Sequence, residues 1–147
     1  MLQTLLEQPE NYEQVLSTYD RAINANPNHA KAWNNRGFAL MQLGRYEEAF
    51  SAYKRSLAIN PKYAKAWNNL GYIYRKLGNY EASVAAYDRC LSIDPNYDKA
   101  WNNRGFVLMQ LGRYPEAITS YDRALVINPN YTAAKHNLDS LLKELGL

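Results

Sequence analysis

A single cysteine, Cys90, stands in a chain of 147 residues, so no intramolecular disulfide can form and a disulfide-stapled scaffold is excluded. Long apolar runs are missing: none approaches the roughly 20 residues a membrane-crossing helix needs, and no membrane association is expected. The opening Met1-Leu2-Gln3-Thr4-Leu5-Leu6-Glu7 has no basic stretch and no long apolar stretch, so no secretory leader is read and a cytoplasmic location is expected. Only two histidines occur, His29 and His136, and neither has a partner at metal-ligand or nucleophile–base spacing. The seven glycines form no GxGxxG or GxxxxGK phosphate loop. A strong charge of one sign is also missing. The net charge of +3 is a weak footprint for nucleic acid, and such a partner is not expected. These absences leave no catalytic residue, metal site or cofactor to assign, and the chain is read as a non-enzyme.

What is present is ordinary in amount and unusual in order. Apolar residues make up 47% and charged residues 21%, which argues against disorder. Thirteen tyrosines supply most of the aromatic content, and they are periodic. Trp33, Trp67 and Trp101 share one 34-residue spacing. Pro27, Pro61, Pro95 and Pro129 keep it, as do Gly37, Gly71 and Gly105, and Gly44, Gly78 and Gly112. Two tyrosine columns follow, Tyr12, Tyr46, Tyr80, Tyr114 and Tyr19, Tyr53, Tyr87, Tyr121. Ala32 to Tyr46 and Ala100 to Tyr114 differ only at Ala39 against Val107, which points to duplication or design.

Each unit reads as two helices. From Ala32 to Leu43, Trp33, Gly37 and Leu40 fall on one stripe, with Leu43 at its edge. The glycine within it lets a neighbouring helix come close, at roughly 1 kcal/mol of lost helix propensity. Gly44 suits a left-handed C-cap. A second helix starts near Tyr46 and buries Ala49, Phe50, Tyr53, Ser56 and Leu57. It ends at Ile59-Asn60-Pro61, because proline disfavours helix behind it and donates no hydrogen bond. One such pair cannot bury its own apolar face, whereas stacked pairs can. An all-α solenoid is therefore expected.

These columns resemble the tetratricopeptide repeat family. The third unit carries its pattern as Trp101, Gly105, Leu108, Ala117, Tyr121, Ala124 and Pro129. The departures are Arg36 and Arg104 where the family has leucine, kept here only as Leu70, together with Ser83, Ser56 and Cys90 at small-residue positions. The resemblance implies a right-handed superhelix of antiparallel helix pairs. Over 1–147 it gives a partial repeat at 1–31, full repeats at 32–65, 66–99 and 100–133, and a capping helix at 134–147. Residues 1–8 are read as a short imperfect first helix from Leu2, Leu5 and Leu6, with Gln3 where the glycine would stand. The polar Asp139, Ser140, Lys143 and Glu144 suit a cap. A ragged start beside a capped end suggests an excised or engineered array.

The first helices carry a second recurring stripe, roughly opposite the tryptophans. It comprises Lys31, Asn34, Asn35, Phe38, Met41 and Gln42; then Lys65, Asn68, Asn69, Tyr72, Arg75 and Lys76; then Lys99, Asn102, Asn103, Phe106, Met109 and Gln110. The resemblance implies that first helices line a concave groove, which would place this stripe inside it. Asn35, Asn69, Asn103 and Asn137 then form a ladder. A carboxamide offers donors and an acceptor to any peptide backbone, and similar ladders grip peptides in the repeats of O-linked N-acetylglucosamine transferase. The expected partner is an extended protein segment with acidic and apolar side chains. The alternative is that the asparagines serve only hydrogen bonds between repeats. The family's chaperone-tail clamp is matched only at Asn69 and Lys99. Asn34, Phe38 and Asn103 depart from it, and that ligand is disfavoured. Self-association is the competing function, through apolar surface left by Leu2, Leu5, Leu6 and Leu16 at the N-terminal end. The Asp-Arg pairs at 20/21, 88/89 and 122/123 are read as surface or inter-helix salt bridges, and His29 and Cys90 as structural residues.

Overall fold

A computed structural model describes residues 11–147, so the helix expected over 1–8 lies outside the described residues. Eight helices follow in order: α1 Tyr12–Ala25, α2 Ala30–Gln42, α3 Tyr46–Ile59, α4 Ala64–Lys76, α5 Tyr80–Ile93, α6 Asp98–Gln110, α7 Tyr114–Ile127 and α8 Thr132–Glu144. No strand occurs among the described residues. The first helices begin two residues earlier than the stripe pattern predicts, at Ala30, Ala64 and Asp98. Alanine and lysine at those positions carry no face signal but are good helix formers.

Two kinds of turn punctuate the chain. After each first helix the backbone reverses at Gly44, Gly78 and Gly112, with φ of 75°, 80° and 73°. Arg45 N–H donates to Leu40 C=O at 2.9 Å and Gly44 N–H to Met41 C=O at 3.0 Å. This paired closure satisfies carbonyls the helix end would orphan. After each second helix the chain turns at Asn-Pro or Asp-Pro. The side-chain oxygens of Asn26, Asn60, Asp94 and Asn128 accept from the amide two residues on, at 3.1–3.2 Å. The tryptophans close over this turn. Trp33, Trp67 and Trp101 each donate Nε1–H to the proline carbonyl six residues back, all at 2.8 Å. They are half-buried rather than central to the core.

The core is built by a glycine meeting a tyrosine. A Cβ at Gly37, Gly71 or Gly105 would lie 2.7 Å from a ring carbon of Tyr53, Tyr87 or Tyr121. Those three rings are the largest side chains with no exposed surface. In α3 the buried set is Ala49, Ala52, Tyr53, Ser56 and Leu57. Phe50, predicted with them, is only half-buried and meets Tyr74 of α4 edge-on at 5.3 Å. Leu16, predicted to leave apolar surface open, is buried with Leu40, Tyr53 and Leu57 because α2 covers it.

The units differ, and the differences come in matched sets. Arg36 pairs with Asp20 at 2.6 Å and Arg104 with Asp88 at 2.7 Å, as inter-helix salt bridges. In the middle unit Leu70 replaces the arginine and Lys54 replaces the aspartate. Arg45 and Arg113 form two-pronged bonds with Glu48 and Glu116. In the middle unit Asn79 caps α5 by accepting from Ala82 N–H at 3.3 Å, and alanine stands where the glutamate stood. The arginines one residue further on from Lys54, Asp88 and Asp122 do something else. Arg55, Arg89 and Arg123 lie over Trp33, Trp67 and Trp101, at 6.0, 5.4 and 5.6 Å from the ring centres.

Candidate groove on the first helices

Successive first helices touch one another, α2 with α4, α4 with α6 and α6 with α8, while each second helix packs mainly on the first helices either side of it. The side on which neighbours approach is the inner side of the stack. Asparagine pairs set that approach. Asn69 donates Nδ2–H to Asn34 Oδ1 at 3.0 Å, Asn103 to Asn68 at 3.3 Å and Asn137 to Asn102 at 3.1 Å. Asn34 has no exposed surface, and Asn68 and Asn102 are 8% exposed.

This corrects one part of the predicted stripe. Asn34, Asn68 and Asn102 are not groove-surface residues. Each is an acceptor turned toward the next repeat, because an exposed carboxamide would gain nothing that water does not already supply, whereas a buried pair satisfies both partners. The next repeat's tyrosine joins in: Asn102 Nδ2–H donates to the Tyr131 hydroxyl at 3.4 Å. Burial raises the Tyr63 and Tyr131 pKa values, while hydrogen bonding to Asn34 and Asn102 works against that rise. The outer members are differently placed. Asn35, Asn103 and Asn137 are half-buried, whereas Asn69 is buried like Asn68 and Asn102 and is likewise not a groove-surface residue. Asn35 accepts from Asn34 Nδ2 at 3.4 Å.

The rest of the stripe stays at the surface. Lys31, Lys65, Lys99 and Lys76 are exposed, and Phe38, Tyr72, Phe106, Met41, Met109 and Arg75 are half-buried. Phe38 meets Tyr12 of α1 edge-on at 6.5 Å. The Arg75 guanidinium carbon lies 4.7 Å from the Tyr72 ring centre and 4.8 Å from that of Phe106. Among the described residues no ion pair involves Lys31, Lys65, Arg75, Lys76 or Lys99.

The mild net charge hides a segregation that the sequence displays. Helices α2 and α4 contain no acidic residue, and α6 contains only Asp98. Asp98 is occupied, accepting from Asn128 Nδ2–H at 3.0 Å. The second helices hold Glu47, Glu48, Glu81, Asp88, Glu116 and Asp122. The first-helix side is thus cationic and the second helices carry the acids.

Other features stay structural. Burial pushes the Cys90 thiol up to about 12, far from a reactive thiolate. His29 Nδ1 accepts from Ala32 N–H at 3.1 Å and caps α2. Among the described residues no group of three His, Cys, Asp or Glu is placed to hold a metal, and no helix is long and apolar enough to cross a membrane.

Comparison with known proteins places the fold. Tetratricopeptide repeat profiles match residues 28–96 and 98–131. A profile described as a protein prenyltransferase alpha subunit repeat matches residues 12–43, over α1 and α2. A search of curated proteins finds no match. Among solved structures, a crystal structure of MamA is 21% identical, with a TM-score of 0.85, covering 94% of this chain and 81% of that one. A second MamA structure is 19% identical, with a TM-score of 0.82, covering 99% and 83%. The first repeat domain of Spaghetti (RPAP3), bound to the HSP90 peptide SRMEEVD, is 23% identical, with a TM-score of 0.78, covering 80% and 94%.

Proposed function

The chain belongs to the tetratricopeptide repeat family, and on that premise we propose that it is a non-catalytic scaffold that binds an extended segment of a partner protein along the first-helix face. One observation carries this reading: a continuous face without free acidic residues, on which lysines, an arginine and aromatic rings lack intramolecular ion-pair partners. What sets this face apart is that no free acid stands beside its cations, an arrangement that serves association more than folding. The half-buried Asn35, Asn103 and Asn137 would then meet a peptide backbone, while the buried Asn69 holds Asn34. The peptide on the RPAP3 domain carries Glu, Glu and Asp, which fits a family groove that accepts acidic segments. Asn34, Phe38 and Asn103 still depart from the chaperone-tail clamp, so that ligand is not proposed.

The test is selection of a random peptide library on the full chain, followed by amide chemical-shift mapping of the selected peptide. Shifts should concentrate on α2, α4 and α6 around Lys65, Tyr72 and Phe106. Shifts confined to α3, α5 and α7 would overturn the groove reading.

A further inference from the structure

We infer that the middle of the groove holds an oxyanion site centred on the Arg75 guanidinium, which reads one acidic side chain of the bound segment between two apolar positions. This rests on the groove reading above. The guanidinium is half-buried and held between the rings of Tyr72 in α4 and Phe106 in α6, at 4.7 and 4.8 Å. It therefore bridges two repeats on the groove side. Lys76 Nζ adds a second cation, 5.5 Å from the Tyr72 ring. Burial raises the Tyr87 phenol in α5, and the charge of Arg75 is the strongest influence opposing that rise.

The donors of Arg75 are unused. No ion pair or side-chain hydrogen bond engages it among the described residues. Arg36, Arg45, Arg104 and Arg113 all hold a carboxylate. A guanidinium offers five N–H donors in a flat fork that fits a carboxylate with two bonds. Ring stacking fixes the plane of the fork without consuming a donor. The repeat comparison points the same way. Met41 and Gln42, and Met109 and Gln110, occupy the equivalent positions in the flanking units. Asn79 comes with Ala82 and Tyr74 with Phe50, so these two departures of the middle unit are answered inside the fold, while Lys54 stands exposed without an ion pair among the described residues. Arg75 and Lys76 are not answered by any internal anion. Their complement is external, with Met41 and Met109 as apolar sockets on either side.

The oxyanion could belong to an internal Asp or Glu or to a chain end, and the test separates them. A random dodecapeptide library is panned on the full chain and on Arg75→Met, a residue the same position already carries in units one and three. Wild-type selection should yield one Asp or Glu flanked by apolar residues. Selection on Arg75→Met should keep the apolar residues and lose the acid. A synthetic consensus peptide should bind Arg75→Met about 10- to 100-fold more weakly, the range for a hydrogen-bonded charge pair. Replacing its acid by the amide should cost nothing further there, and C-terminal amidation should leave wild-type binding unchanged. A wild-type consensus without acid, retention of the acid on Arg75→Met, or a tenfold loss on amidation would overturn the site. Groove-bound peptides without acid overturn the site alone, whereas peptides mapping to α3, α5 or α7, or no enrichment at all, overturn the groove reading with it.

Discussion

Gly71→Ala should destabilise the array, although alanine is the better helix former. In the interior of α4 the exchange gains about 1 kcal/mol of propensity. Against this, the new Cβ would stand 2.7, 2.8 and 2.9 Å from three ring carbons of Tyr87. Carbon atoms rest at about 3.5–4.0 Å, so the ring or the helix must yield by roughly an ångström. Tyr87 has no exposed surface and is packed with Val84, Cys90 and Leu91, and Ser83 Oγ–H bonds the Gly71 carbonyl at 2.6 Å, fixing the two helices at that point. Overpacking of such a site costs about 1–3 kcal/mol, here toward the upper end. The net expectation is a loss of about 2 kcal/mol, or about 4–8 °C in Tm for a chain of this size. Calorimetry and urea unfolding give the number. The decisive measurement repeats the exchange in a Tyr87→Leu background, where the ring is gone and only propensity remains, so that the sign should reverse. A Gly71→Ala protein as stable as wild type, or no reversal with Tyr87→Leu, would refute the close-approach argument.

Other outcomes follow from the same geometry. The Tyr121 hydroxyl is buried and has no hydrogen-bond partner in the structure, so Tyr121→Phe should be neutral or stabilising by up to about 1–2 kcal/mol in urea unfolding. Asp20→Lys alone puts a cation beside Arg36 and should cost about 0.5–1 kcal/mol, modest because the pair is partly exposed and screened. Adding Arg36→Leu recreates the Lys54/Leu70 arrangement and should recover most of that loss in a double-mutant cycle. Burial raises Cys90 from 9.0, and Tyr97 and Tyr121 from 10.0, each to about 12. Above pH 9 the unfolded chain releases these protons and the folded one keeps them, so the array should lose stability from pH 9 to 12 and owe these groups no pH dependence below 9. Tm against pH, read with tyrosine ionisation by ultraviolet absorbance, checks it; a flat Tm across that window would contradict the burial.

Much of the fold was legible because packing repeats itself. Gly37 and Tyr53 recur in register with their equivalents since one cannot change without the other, and Gly44 recurs because the turn demands positive φ. The tryptophans misled in detail. An indole reads as core, yet each is spent on a proline carbonyl at the turn. The asparagines misled more seriously. Two in succession read first as a polar surface, with hydrogen bonds between repeats as the alternative, and Asn34 does accept from a neighbour 35 residues away. Their 35-residue offset, one more than the period, was the available signal. The cationic face was legible in full, as helices without Asp or Glu, but only once charges were sorted by helix.

The burial of Asn34, Asn68 and Asn102 also changes what a ladder does. Each pair ties neighbouring first helices at the inner side, where the stack is closest. Between outer helices the ion pair of Arg113 with Glu81 is longer, at 3.6 Å, and exposed. A groove held this way is largely shaped before a ligand arrives, which lowers the ordering cost that binding must overcome. Asn103 anchors Asn68, and on the proposed reading it would also meet a peptide backbone. Loss of affinity in Asn103→Ala therefore does not by itself identify a ligand contact. Asn68→Ala removes the same tie and leaves the outer carboxamide in place. Equal losses in the two variants would assign the ladder to groove shape, and a loss confined to Asn103→Ala would assign it to contact. Arg75 carries no such ambiguity, because its donors tie nothing among the described residues, and that is why the middle unit is the sharper place to look for specificity.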